Sequence, residues 1–234
     1  MKVREILAAI DSVAPFRLAE EWDNVGLMIG DPEWNVERLA IALDPLPETL
    51  EEAVRRGCQG LLSHHPLFLN PLRSIDLSTP GGRTIRMALR EKTAVMAAHT
   101  NWDSAEGGVS RTLADRLGLK AVVPLVRSET GAGGMGAVGN LPAAIPVREL
   151  LDRAKRAWNM TRIDYYGDPG CSILRVALCG GSGGAKNLRA AAEGARADLY
   201  VTADMKYHDL LDCAQTRLPV AVVDHGEMES ASLP

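Results

Sequence analysis

Five histidines occur in the 234 residues, at positions 64, 65, 99, 208 and 225. Each lies within about two helical turns of the carboxyl end of a short apolar run that predicts a strand. Asp44, Asp103, Asp204, Asp224 and Glu229 follow the same runs. In open α/β sheets that edge is where ligands collect. Imidazole and carboxylate together form the donor set for Zn, Fe, Mn or Co. His64 and His65 are adjacent, just before Pro66. Neighbours on an extended segment point opposite ways, so this pair suits two ions better than one. Asp103 could bridge such ions. His225 and Glu229 stand at i and i+4, which one helical turn would place on one face. The ligand set is then His64, His65, Asp103, His225 and Glu229. A single histidine is usually an incidental surface or core residue; the joint placement at strand ends is the signal.

The elements that must position these residues alternate. Apolar spacing over residues 3–10 predicts a first helix ending before Pro15. A strand at 38–44 leads into a helix at 47–56, stopped by Gly57. A strand at 60–63 runs into the two histidines. A helix at 84–92 precedes a strand at 93–98 that meets His99 and Asp103, and a helix at 108–117 closes at Gly118. Residues 127–146 are Gly-rich with two prolines, which predicts a turn-rich crossing between domains. Beyond it come a helix at 147–158, a strand at 172–178 and a helix at 186–193. A strand at 198–203 meets Asp204 and His208. A helix at 210–216 and a strand at 219–223 lead to Asp224, His225 and Glu229.

This alternation predicts two layered α/β domains with mixed, mostly parallel sheets and a metal site in the cleft between them. The first domain is expected at 1–125 and the second at 126–219, with residues 220–234 returning to the site.

Composition narrows the function classes. There are 26 Lys plus Arg against 30 Asp plus Glu, a net charge of −4. No basic surface stands out, so nucleic acid is not expected as the primary partner. No apolar run approaches the ~20 residues of a membrane span, so no membrane partner is expected either. The four cysteines are widely spaced with no C-x-x-C, which favours a reducing, cytoplasmic setting over a disulfide framework. The amino-terminal stretch is too charged for a signal peptide.

Six segments occur in order: EEWDNVGLMIGDP (20–32), LLSHHPLF (61–68), AAHTNWDSAEGGV (97–109), CGGSGG (179–184), YVTADMKYHD (200–209) and DHGEME (224–229). Together they resemble the Nif-three-like family, whose members are also labelled GTP cyclohydrolase type 2 homologues. The resemblance spans nearly the whole chain. It implies a two-domain α/β subunit with two divalent metal ions, assembled as a toroidal homohexamer. By motif position it implies the same five ligands that the strand ends indicate. His99 and His208 match motif positions too, and the resemblance implies that they orient a ligand or face substrate. Family members usually continue past the HxxxE element through a further helix, whereas this chain stops at Pro234. The large middle insertion of some members is absent.

Gly180, Gly181, Ser182 and Gly183 lie between a strand and a helix. Their backbone N–H groups could hold a phosphate or other anion. A tight turn for close helix–strand packing is the equal alternative. The segment lacks the P-loop pattern. Residues 131–136 spell G-x-G-x-x-G, but no strand clearly feeds them and no helix follows. Trp22-Asp23-Asn24-Val25-Gly26 reads as a turn anchored by Trp22.

Two functions follow. The first is hydrolysis of a small, nucleotide-like substrate by a hydroxide bridging two metals ~3.5–4 Å apart, with His99, His208 or Asp204 relaying the proton. The second is a non-catalytic metal store, chaperone or hexameric scaffold with full coordination.

Overall fold

A computed structural model describes residues 1–129, 133–183, 187–215 and 217–233. The chain divides into two compact units, Met1–Ala105 and Glu106–Pro234.

The first unit contains α1 (Val3–Val13), β1 (Gly26–Ile29), β2 (Leu39–Ala42), α2 (Pro47–Arg55), β3 (Gly60–Ser63), α3 (Pro80–Glu91), β4 (Ala94–Ala97) and α4 (Thr100–Asp103). Its sheet runs β1-β4-β3-β2. β2, β3 and β4 are parallel, and β1 is antiparallel at the edge. Alternate residues of β4 serve different cores. Met96 packs with Val3, Ile6 and Ile10 of α1, while Val95 packs with Leu50 of α2 and Ile85 and Ala88 of α3. The sheet is thus covered on both faces, which is why its strands are short apolar runs without polar alternation. α3 starts before the expected residue 84 because Thr79 caps it, its hydroxyl accepting from Gly82 N at 3.1 Å, with Pro80 in the first turn.

Register aligns the strand ends. Ala42 pairs with Ser63, and Ser63 with Ala97. Asp44, His64–His65 and His99 therefore leave the sheet at nearly the same level.

The second unit contains α5 (Val109–Leu117), β5 (Lys120–Val123), β6 (Val126–Arg127), β7 (Gly134–Met135), β8 (Ala137–Pro146), α6 (Val147–Trp158), β9 (Ile163–Tyr166), β10 (Ser172–Leu178), α7 (Arg189–Gly194), β11 (Leu199–Ala203), α8 (Tyr207–Ala214), β12 (Val220–Val223) and α9 (His225–Ser230). Its larger sheet runs β5-β8-β10-β11-β12-β9. The central β10, β11 and β12 are parallel; their flanking partners are antiparallel.

The units divide earlier than residue 125. β5 pairs with β8, and the buried Trp158 of α6 donates its indole N–H to the Leu113 carbonyl of α5 at 3.0 Å. Both contacts bind residues 106–125 to the second unit. β12 lies between β11 and β9, so residues 220–223 also belong to that sheet. The expected crossing at 127–146 is largely β8, a strand of ten residues. Pro142 hid it from a propensity reading. That proline falls where the β8–β10 register shifts, between the pairs Arg175–Asn140 and Ile173–Ile145, so its missing N–H costs the ladder little. Gly131 and Ala132 of the G-x-G-x-x-G spelling lie outside the described residues, as do Gly184, Lys186 at the start of the helix expected at 186–193, and Thr216 at the end of that expected at 210–216. Among the described residues, no helix is long and apolar enough to cross a membrane.

Candidate metal centre

In the first unit, His64 and His65 follow β3, and His99 follows β4. The three rings meet: centroids are 5.1 Å apart for His64–His65, 5.2 Å for His64–His99 and 5.5 Å for His65–His99. One ligand nitrogen from each lies within 4.8 Å of the other two. Asp103, at the end of α4, brings Oδ1 to 3.7 Å from His64 Nε2. His64 is nearly inaccessible, at 4% exposure.

In the second unit, α9 carries the other pair. One turn of helix sets His225 Nε2 3.0 Å from Glu229 Oε1, as the i, i+4 spacing predicts. The helix is short, yet it is fastened at several points. Asp224 caps its start by accepting from Glu227 N at 2.9 Å. The Glu227 carboxylate accepts from Thr161 N at 2.8 Å and Thr161 Oγ1 at 2.7 Å. Met228 is fully buried, and Glu229 is only 2% exposed.

The orientation of four imidazoles is the most informative geometry. In each, Nδ1 is committed to an oxygen of the protein. His64 Nδ1 lies 3.0 Å from the Ala98 carbonyl, and His65 Nδ1 2.8 Å from Asp44 Oδ1. His99 Nδ1 lies 2.9 Å from Asp23 Oδ1, and His225 Nδ1 2.5 Å from Asp204 Oδ2. A carbonyl or carboxylate oxygen only accepts, so Nδ1 carries a proton in each ring; in His225 Nε2 faces the Glu229 carboxylate as well, and a metal there would take the place of its proton. This oxygen–imidazole pairing is the arrangement that orients metal-binding histidines.

Electrostatics agree with that arrangement. The Glu229 carboxylate is the largest influence on His225; burial opposes it and Asp204 adds to it. The imidazole is thereby pushed up to about 9. Two acids around one ring provide negative potential that a cation can take up in place of the proton.

Gly181 keeps space in front of this pair. A Cβ there would lie 2.2 Å from Glu229 Oε1 and 3.3 Å from His225 Nε2, and its φ of +64° already favours glycine. Its neighbours are also packed close. A Cβ on Gly180 would lie 2.3 Å from Val109 Cγ1. One on Gly183 would lie 2.6 Å from Cys179 Cβ and 2.8 Å from both the Tyr200 and Thr202 oxygens. Close packing thus accounts for three glycines of the segment, while Ser182 is exposed.

The remaining expected residues separate. Asp204, in a left-handed conformation at φ 54°, holds His225 by its Nδ1. His208 is exposed on α8 beside Tyr207, with ring centroids 5.3 Å apart, and joins no cluster of ligand atoms among the described residues. Sequence reasoning gave no role to Asp44, and took Asp23 as part of a turn. Asp44 carried a signal, an acid directly after a strand. Asp23 carried none, because it reaches His99 across 76 residues of chain.

In each unit taken by itself the donors are of the kind that fits a divalent transition metal: imidazoles held by Nδ1 beside Asp103 in the first, and an imidazole beside the nearly fully buried Glu229, with Gly181 leaving room before them, in the second.

Comparison with known proteins finds relatives along most of the chain. The chain is 37% identical over 230 residues to a Streptomyces coelicolor protein named GTP cyclohydrolase 1 type 2 homolog, covering 95% of this chain and 79% of the relative. A Clostridium perfringens protein of the same name is 33% identical over 230 residues, covering 98% and 87%. The fold matches the crystal structure of a Bacillus cereus protein related to NIF3 with a TM-score of 0.91 at 23% identity, covering 99% of this chain and 91% of that one. The family described as Duf34/NIF3 (NGG1p interacting factor 3) matches residues 1–234, and the chain belongs to it.

Proposed function

We propose that this protein is a metal-dependent hydrolase of a small, nucleotide-like substrate, with His64, His65, Asp103, His225 and Glu229 holding two divalent transition-metal ions. The observation that carries the reading is the shared orientation of the imidazoles, each with Nδ1 anchored to a protein oxygen. A pair of such ions supplies Lewis acidity and an activated water at neutral pH. The chain's own residues do the rest. Asp44, Asp204 and the Ala98 carbonyl hold three rings in one orientation. Asp103 and Glu229 supply the negative charge that compensates the cations. His99, at the edge of the cluster, hydrogen-bonds the reacting group. The names of the curated relatives support a nucleotide-like substrate. A ring of six copies is the assembly proposed with this reading.

Elemental analysis of the purified chain tests it. About two transition-metal ions per chain are expected, with loss of metal in His64→Ala and Asp103→Ala while circular dichroism stays unchanged. Protein that is metal-free and cannot be loaded overturns the site. Loaded protein that turns over neither guanine nucleotides nor phosphodiesters overturns the hydrolase and leaves a metal store or scaffold. Sedimentation at the mass of six chains is expected; a monomer overturns the ring.

A further inference from the structure

The strongest unassigned group is the buried carboxylate of Asp23. Its side chain has no exposed surface. Both oxygens are engaged. Oδ1 accepts from Asn24 N at 2.8 Å and faces His99 Nδ1 at 2.9 Å. Oδ2 accepts from Thr100 N at 3.0 Å and Thr100 Oγ1 at 2.5 Å. Burial alone pushes this carboxyl up, but the hydrogen bonds from His99 and Thr100 outweigh it and hold it at about 2. Asp23 is therefore a carboxylate near neutral pH and can only accept.

His99 lies against Trp22 on one side, with centroids 6.0 Å apart and planes at 77°, and against the rings of His64 and His65 on others. Trp22 is 58% exposed, so the His99 edge lies beside open surface. With Nδ1 tied to Asp23, Nε2 is the only ring nitrogen left to meet anything else. We propose that Asp23 is a positioning residue that locks His99 as the Nδ1–H tautomer, so that Nε2 acts as a lone-pair acceptor for an N–H or O–H group of the bound ligand beside His64 and His65. The lock belongs to the first unit alone; only the identity of the ligand rests on the hydrolase reading. An Asn in place of Asp23 would present either a carbonyl or an amide to Nδ1, and the amide would select the opposite tautomer. A carboxylate partner fixes the useful tautomer of a histidine in the same way in the Ser-His-Asp triad.

The test is the nitrogen spectrum of 15N-histidine-labelled, metal-free protein, with His99→Ala identifying the resonances. Wild type is expected to show a protonated, pyrrole-type Nδ1 and a pyridine-type Nε2 at His99. Asp23→Asn is expected to shift His99 toward Nε2–H while metal uptake is retained. Thr100→Val removes one bond to Asp23 without touching His99; it is expected to lower the melting temperature and leave the tautomer unchanged. An Nε2–H tautomer in wild type overturns the proposal, and needs no variant to fold. Equal tautomer shifts in Asp23→Asn and Thr100→Val also overturn it, since packing alone would then be responsible. Failure to load metal in wild type, with the tautomer as expected, refutes the hydrolase reading and not the lock.

Discussion

Gly181 and Glu229 compete for one small space: a side chain on Gly181 would begin 2.2 Å from Glu229 Oε1. Gly181→Ala is expected to lower metal content sharply and to cost about 1–2 kcal/mol of unfolding free energy from the left-handed backbone alone. Gly57→Ala provides the control. That glycine has φ +73° but nothing within 4 Å of the added carbon. It should show a similar loss in urea unfolding with full metal content. Equal metal loss in both would show that the contact with Glu229 is immaterial.

Asp224→Ala tests how the short helix α9 survives. The cap that Asp224 gives to Glu227 N is worth about 1 kcal/mol. Because α9 carries His225 and Glu229, the variant is expected to bind metal more weakly, as read by competition with a chelator. Asp224→Asn, which keeps an oxygen acceptor, should restore most of the affinity.

Acid sensitivity follows from Asp23. Its carboxyl lies near 3.8 when unfolded and about 2 when folded. A depressed folded value adds stability above the unfolded value, and that stability is lost as pH falls through the folded one. The contribution is about 2 kcal/mol at pH 7. The stability gap between wild type and Asp23→Asn should therefore be full at pH 5 to 7 and shrink between pH 4 and pH 2. Urea titrations at each pH read it; a constant gap would assign the loss to packing.

Trp158→Ala is expected to cost about 3–5 kcal/mol, because the indole is the largest fully buried side chain and its N–H would no longer satisfy the Leu113 carbonyl. Trp158→Phe should recover most of the packing and leave the lost hydrogen bond. Far-UV melting of the two variants separates these contributions.

Much of the candidate site was legible because its residues follow strand ends. The apolar runs before His64, His99, Asp204 and His225 are short, buried and continuous, and parallel sheets produce such runs. The i, i+4 spacing of His225 and Glu229 likewise survives into α9. What stayed hidden is whatever depends on partners distant in sequence. Asp23 looks like a turn residue until β4 brings His99 beside it. β8 looks like a linker because of Pro142, which falls at a register shift, and Gly139, where an added carbon would lie 3.0 Å from the Lys120 carbonyl oxygen. His208 and Asp204 looked alike as strand-end donors, yet the left-handed backbone at Asp204 aims it at His225 while α8 turns His208 to solvent. Residue type and spacing cannot separate those two outcomes.

The carbonyl that fixes His64 belongs to Ala98, one residue beyond the last paired position of the neighbouring strand. The state of the ring is therefore tied to the pairing of β3 with β4. The bond to that carbonyl shields the Nδ1 proton of His64 from solvent while the strand ends stay paired. Its exchange with deuterium would time the opening of the sheet, and the acidity of the imidazole would have little part in setting that clock.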